Sequence, residues 1–165
     1  MKYVVLYQSN SGNTEMIAHA IFNAIESEEK ELINIYDVEV IPDSDIYFVG
    51  FAVYNQSCSL SVMECLSNIE QGKIALFSTC GFYPAERYKE NIEKNMYAWI
   101  NEDVEYMGMY LCQGKMQVSQ QEQFVKEAAK VEMAMREIFS AGESHPDQND
   151  IYDAEHFAKS IINSY

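Results

Sequence analysis

Residues 4–21, VVLYQSNSGNTEMIAHAI, join a strand-like segment to a helical one through a short polar loop. The run at 2–7 is apolar before the loop, which is typical of a strand buried on both faces. After the loop, Ile17 and Ile21 recur at the spacing of one helical face. The loop at 9–14 therefore lies where a strand ends and a helix begins.

The same change of period recurs along the chain. Further strands are predicted at 31–36, 46–51, 73–79 and 104–112. Apolar side chains recur at helical spacing in four other stretches, at 62–69, 85–99, 124–138 and 151–162. The last helix is predicted to begin at a cap, Asn149 or Asp150. Alternation of this kind predicts a mostly parallel sheet of five strands, with right-handed crossover helices on both faces.

We expect the whole chain, residues 1–165, to form one domain, an α/β protein with the layers of a three-layer α/β/α sandwich. In such folds, ligands bind beyond the carboxyl ends of the parallel strands. The loops at 8–14, 52–60 and 79–84 each follow a predicted strand, so they are the expected functional loops.

The chain is strongly acidic, with 26 Asp and Glu against 11 Lys and Arg and a formal net charge of -15. This charge would repel nucleic acids and anionic lipid headgroups, so we expect neither nucleic acid nor membrane as a partner. An acidic surface can steer a protein partner that has a basic face, or it can serve solubility alone. The sequence shows no signal-peptide pattern and no long apolar run, so we expect a cytoplasmic protein.

The cysteines show neither C-x-x-C pairing nor the spacing of a zinc site, and the histidines show no metal-binding spacing either. No metal site is therefore predicted. We expect reduced thiols that pack as small apolar side chains. Cys80 has a second interpretation, a reactive thiol, because it would lie in a cleft at the end of a strand.

The first loop can hold an anion although it contains no basic residue. It consists of Ser9, Asn10, Ser11, Gly12, Asn13 and Thr14. A helix N-terminus offers unpaired backbone N–H groups and about half a positive charge. Hydroxyl and amide side chains add hydrogen-bond donors, and the glycine lets the backbone approach a ligand closely. We therefore expect a phosphate site; the alternative is a polar loop that only begins the helix.

Three common phosphate-binding patterns are excluded. The nucleoside triphosphatase motif G-x-x-x-x-G-K-[ST] needs a lysine that this loop lacks. The dinucleotide motif G-x-G-x-x-G needs further glycines, whereas Gly12 stands alone. A phosphorelay receiver would need acidic residues at the end of its first strand, where this chain has Tyr7 and Gln8.

The sequence SNSGNT after a first strand resembles the phosphate-binding loop of the flavodoxin family, S/T-x-T-G-N-T, with Ser11 in place of the middle threonine. The resemblance spans nearly the whole chain. The strand order 2-1-3-4-5, with FMN at the point where the order reverses, is a known property of that family and is taken from it. The resemblance thus implies a flavodoxin-like sheet and FMN as the cofactor.

In flavodoxins, the loop after the third strand places an aromatic ring against the flavin. Matching Gly50 to the glycine that ends that strand puts Tyr54 at the stacking position; ordinary loop packing is the alternative. Asn55 follows, where relatives often have glycine and where a backbone flip lets a carbonyl accept a hydrogen bond from the reduced flavin's N5–H. Asparagine tolerates the left-handed backbone that such a flip involves.

The loop STCGFYP, residues 78–84, matches the family's second flavin-contacting loop in place but not in letters. The contacts implied are the backbone of Thr79, Cys80 and Gly81, with Phe82 or Tyr83 packing beside the ring. The second stacking residue stays open between these two aromatic residues.

The resemblance implies an FMN-binding electron carrier, a monomer that passes single electrons between redox proteins with basic faces. Acidic residues near the flavin would lower its second reduction potential. Two other functions stay open. One is an FMN-dependent NAD(P)H reductase. The other is an accessory flavodoxin-like subunit that supports a specific reductase, as in bilirubin reduction by gut anaerobes.

Overall fold

The computed structural model describes residues 1–164 and contains one parallel sheet. Its strands are β1 (Tyr3–Tyr7), β2 (Lys30–Asn34), β3 (Ile46–Ala52), β4 (Lys73–Cys80) and β5 (Glu105–Gln113). Their order across the sheet is β2-β1-β3-β4-β5, and each neighbouring pair runs parallel. The predicted fold class and strand order are confirmed.

Helices lie in three of the four gaps between successive strands, and three more follow β5. They are α1 (Asn13–Ala24), α2 (Leu60–Ser67), α3 (Glu86–Tyr97), α4 (Val118–Glu127), α5 (Glu132–Gly142) and α6 (Gln148–Asn163). Short 3-10 helices span Ile35–Asp37 and Ala129–Val131. Within residues 1–164, none of the helices has the length and apolar character needed to cross a membrane.

Both faces of the sheet are buried, and each face has its own core. In β1, the alternate residues Tyr3, Val5 and Tyr7 belong to the core under α1 and α6. Val4 and Leu6 belong to the core under α2 and α3. A central strand covered on both faces needs an almost continuous apolar sequence, which explains the run that begins the chain.

The helix predicted over 124–138 is divided in two. The chain leaves the helical conformation at Ala128, with φ -115° and ψ 40°, and α5 begins at Glu132. The two helices then fold against each other, so that Phe124 and Phe139 pack with ring centroids 6.4 Å apart. One apolar periodicity runs through both helices, which is why the sequence did not reveal the break.

The helix α6 begins slightly earlier than predicted, because its cap is Asp147. The Asp147 carboxylate accepts the backbone N–H groups of Asn149 and Asp150, and the Asp150 carboxylate accepts the Asp147 N–H in return. His145 adds a side-chain hydrogen bond to Asp150 at 2.5 Å. These hydrogen bonds account for the one cluster of three metal-ligating side chains within residues 1–164, at His145, Asp147 and Asp150.

Gly50 and Phe77, which are paired residues of β3 and β4, pack closely near the carboxyl end of the sheet. A Cβ atom added at Gly50 would overlap the Phe77 ring, which is completely buried. β3 continues beyond the glycine to Ala52. The strand thus extends one residue beyond the predicted range of 46–51, and Gly50 serves the packing of the sheet.

Replacing Gly50 with alanine should lower the free energy of unfolding by about 1–3 kcal/mol, because the Phe77 ring must move within a packed core. Urea denaturation with linear extrapolation measures this loss. The control is a double-mutant cycle with Phe77→Leu. If the clash is the cause, Gly50→Ala should cost much less in the Phe77→Leu background, whereas equal costs in both backgrounds would contradict this account.

Candidate functional site

The three predicted loops meet at the carboxyl edge of the sheet. Tyr7 at the end of β1 is paired with Gly50 of β3, and Ala52 at the end of β3 is paired with Thr79 of β4. Backbone hydrogen bonds continue past the strands: the Gln8 N–H donates to the Gly50 carbonyl at 3.0 Å. The loops that follow β1, β3 and β4 are therefore neighbours, as the sequence predicted.

The N-terminus of α1 carries free hydrogen-bond donors. Gly12 is the N-cap, with φ 89° and ψ -12°, and no side chain caps the helix. The first intrahelical bond runs from the Met16 N–H to the Gly12 carbonyl at 3.0 Å. In the described chain, the backbone N–H groups of residues 13–15 make no hydrogen bond. Three such donors at the positive end of a helix can bind an anion without a basic side chain.

Two side chains shape this loop. The Ser9 hydroxyl accepts the Gly12 N–H at 3.1 Å, which turns the loop back on itself. Asn10 accepts a hydrogen bond from the Tyr36 hydroxyl at 3.4 Å. Ser11 is exposed at the tip of the loop. Among the described residues, the Ser11 hydroxyl has no protein partner, and the Ser9 hydroxyl keeps its own hydrogen, so both can donate to a ligand.

Two further side chains anchor the start of α1 to the sheet. The Thr14 and Thr79 hydroxyls share a buried hydrogen bond of 2.9 Å, which uses one of their two hydrogens. The Asn13 side chain donates to the Lys115 carbonyl at 2.9 Å. The sequence predicted these residues as ligand contacts. Their side chains also hold the helix N-terminus in position over the ends of β4 and β5.

Sequence reasoning missed a fourth loop, residues 114–117, which follows β5. A Cβ atom at Gly114 would lie 2.7 Å from the Asn13 side chain, so the glycine permits the contact between this loop and α1. Lys115 lies in this loop, and its ammonium group forms an ion pair with the Glu143 carboxylate at 2.6 Å. The sequence could have predicted this loop, because the carboxyl end of a fifth parallel strand lies at the same edge of the sheet as the ends of its neighbours.

The loop after β3 contains a strained turn. Tyr54 and Ser57 exchange two backbone hydrogen bonds of 2.9 Å. Between them, Asn55 and Gln56 have φ of 49° and 58°, as in a type I′ turn. A left-handed conformation costs an ordinary L-residue about 1–2 kcal/mol. Asn55 was expected to tolerate this region, whereas Gln56 was not anticipated. The Asn95 side chain holds the turn by donating to the Gln56 carbonyl at 2.8 Å.

Two aromatic residues at this edge are largely exposed. Tyr54 beside the strained turn is 70% exposed, and Tyr83 in the loop after β4 is 71% exposed. Phe82 lies differently: its ring packs on Phe124 at 5.1 Å and on Phe139 at 5.9 Å, between α4 and α5. Of the two residues predicted to pack beside the ring, Tyr83 is therefore accessible to a ligand. Phe82 instead packs against α4 and α5.

The loop after β4 begins at Gly81, since Thr79 and Cys80 still belong to the strand. Cys80 is 3% exposed, and its thiol donates to the Phe82 carbonyl at 3.1 Å. Burial raises the pKa of Cys80 to about 12, so the thiol is protonated at neutral pH. The structure thus gives no support to a reactive Cys80. All four cysteines are free and buried, as predicted.

Negative charge lies close to the start of α1. The Tyr7 hydroxyl donates to the Glu15 carboxylate at 3.0 Å. Burial, followed by this hydrogen bond and the charges of Glu15 and Asp37, raises the pKa of Tyr7. A ligand at this edge would therefore lie close both to the N–H donors of α1 and to the carboxylates of Glu15 and Asp37.

Gln8 was named in the sequence but given no role. Its side chain is 7% exposed, and its Oε1 accepts the Ser59 hydroxyl at 2.5 Å. Ser59 in turn caps α2. The Gln8 side chain thus ties the end of β1 to the loop after β3.

Comparison with known proteins matches this chain over almost its full length. The family model for the flavodoxin domain matches residues 4–159. The flavodoxin-like domain-containing protein BilS of Clostridioides difficile (strain CD3) is 33% identical, covering 98% of this chain and 97% of that protein. BilS of Clostridium symbiosum (strain WAL-14163) is 25% identical, covering 98% and 96%.

A solved structure shows the same fold at low sequence identity. The oxidised Flavodoxin 1 from Bacillus cereus has a TM-score of 0.64 and 16% identity, covering 100% of this chain and 99% of that chain. At this identity the likeness shows the fold alone. The family match and the BilS relative carry the assignment, and they show that this chain belongs to the flavodoxin family.

Proposed function

We propose that this protein binds FMN and carries single electrons between redox proteins. The observation that carries the proposal is the N-terminus of α1, whose free N–H groups at residues 13–15 lie at the ligand-binding edge of a flavodoxin sheet. A phosphate is well suited to these donors, because the helix end attracts negative charge without any basic side chain.

The other residues at this edge fit the rest of the cofactor. Tyr54 and Tyr83 offer exposed aromatic surface that would pack against the flavin ring. Ser11 offers a hydroxyl to the phosphate. FMN when bound supplies the one-electron chemistry, while the chain supplies position and electrostatics. Glu15 and Asp37 would disfavour added negative charge and so lower the reduction potential.

The proposal is tested by the visible spectrum of the purified protein before and after addition of FMN, followed by stepwise reduction under argon. We expect flavin bands, micromolar or tighter binding, and two separable one-electron steps. NAD(P)H alone should not reduce the protein. Transfer to a basic partner should weaken as salt is raised, because the attraction is screened.

Two outcomes would replace the carrier with another function. Rapid oxidation of NAD(P)H without a partner would make the protein a reductase. A colourless protein that does not bind FMN would overturn the proposed cofactor and favour a dedicated accessory subunit, whose affinity for its reductase needs no flavin.

The double substitution Ser9→Ala and Thr14→Ala should weaken FMN binding by about tenfold or more, with little effect on riboflavin. The two hydroxyls shape and anchor the loop, and a hydrogen bond that either would donate to the phosphate, a charged group, is worth about 1.5–3 kcal/mol. Fluorescence titration with each ligand measures the two dissociation constants. Ser160→Ala, on the exposed face of α6, is the control. Equal losses for both ligands would mean that this loop does not bind the phosphate.

Two glycine substitutions in the strained turn should shift the first one-electron potential in opposite directions. A flip of the peptide between Asn55 and Gln56 would convert the type I′ turn to a type II′ turn. A type II′ turn favours glycine at position 55, and residue 56 then has a negative φ. The flipped Asn55 carbonyl would accept a hydrogen bond from the reduced flavin. Asn55→Gly should therefore raise the potential, and Gln56→Gly should lower it.

Each shift is expected to be on the order of 20–40 mV, the equivalent of about 0.5–1 kcal/mol for one electron. Anaerobic redox titration of the two variants and the unaltered protein measures it. Shifts of the same sign in both variants would show that the conformation of this turn does not control the first one-electron potential.

A further inference from the structure

Gln8 contains a buried hydrogen-bond donor that the protein itself does not satisfy. The side chain is 7% exposed, and within residues 1–164 its Nε2 has no hydrogen-bond partner. Buried amide groups are nearly always paired, because an unpaired donor loses its hydration without compensation. An unpaired donor beside a ligand-binding loop is therefore a candidate ligand contact.

The hydrogen bonds around the amide fix which of its atoms is unpaired. The Ser59 hydroxyl oxygen accepts the Val62 N–H as the cap of α2, so its own hydrogen is directed to Gln8 Oε1. Exchanging the oxygen and nitrogen of Gln8 would direct a second donor at that hydroxyl and leave its hydrogen without this acceptor. The arrangement with Nε2 unpaired satisfies more groups.

Other buried polar side chains at this edge are paired. Thr14 and Thr79 bond to each other, and the Ser78 hydroxyl donates to the Phe51 carbonyl at 2.8 Å. Gln113, at the end of β5, donates from its Nε2 to the Ile138 carbonyl at 3.0 Å. Gln8 is thus an exception among the buried polar residues at this edge of the sheet, and its difference from Gln113 offers a direct comparison.

The position of the amide separates it from the phosphate site. Gln8 bonds through its side chain to the cap of α2, which lies on the sheet face opposite α1. The phosphate donors belong to α1. An acceptor for Nε2 would therefore belong to the part of the ligand that lies toward the loop after β3, where Tyr54 is exposed.

We infer that Gln8 is a flavin-binding residue whose Nε2 donates a hydrogen bond to an acceptor in the part of the cofactor that FMN shares with riboflavin. This inference rests on the proposed function. Under this inference, the loop before α1 discriminates FMN from riboflavin. Gln8 contributes to the affinity that both ligands share.

The test is the substitution Gln8→Leu, with Gln113→Leu as the matched control, measured in the flavin-free protein and with both ligands. Leucine removes the unpaired donor at similar volume, and the Ser59 hydroxyl, being partly exposed, can turn to water. We expect Gln8→Leu to raise the urea midpoint of the flavin-free protein. Gln113→Leu should lower it, because it breaks a made hydrogen bond.

In ligand titrations, Gln8→Leu should weaken FMN and riboflavin alike, each by about tenfold, and leave their ratio unchanged. A lowered urea midpoint, as in the control, would show that the donor is already satisfied without ligand and would overturn the inference. Undiminished riboflavin affinity would overturn it as well. If the unaltered protein binds neither ligand, the proposed function is wrong and this inference is wrong with it. If the unaltered protein binds both ligands and Gln8→Leu binds them equally well, only the inference about Gln8 is wrong.

Discussion

The free backbone N–H groups at the start of α1 are the feature on which the site depends. They exist because Gly12 enters the helix from a left-handed conformation and no side chain caps the first turn. Parallel strands buried on both faces bring this helix end to the edge where the other loops gather. The Thr14–Thr79 and Asn13–Lys115 hydrogen bonds then fix it against β4 and the loop after β5.

Backbone donors would allow an acidic protein to bind an anion. The net charge of -15 would oppose a phosphate at long range, but salt screens distant charges, whereas donors in direct contact act at short range. The same negative charge would make the reduced flavin harder to form. Under the proposed function two tasks are separate: helix donors would bind the phosphate, and carboxylates such as Glu15 would lower the reduction potential of the flavin.

Much of the fold could be predicted from the sequence, because the strands and most of the helices follow from local periodicity. The features that were missed depend on contacts between distant residues. Phe82 packs on Phe124 and Phe139, more than forty positions away, and nothing near Phe82 signals this. Gln56 adopts a positive φ because its turn is held by Asn95 of α3. The position of the loop at 9–14 was predictable because the strand, the glycine and the helix that flank or form it are adjacent in sequence.

The central claim is that backbone amides of α1 bind the phosphate of the cofactor. The most direct measurement is the change in amide proton and nitrogen chemical shifts of Asn13, Thr14 and Glu15 when FMN or riboflavin is added to isotope-labelled protein. We expect large downfield proton shifts at these three amides with FMN and small ones with riboflavin. Unchanged amides with FMN, or equal changes with both ligands, would contradict the account.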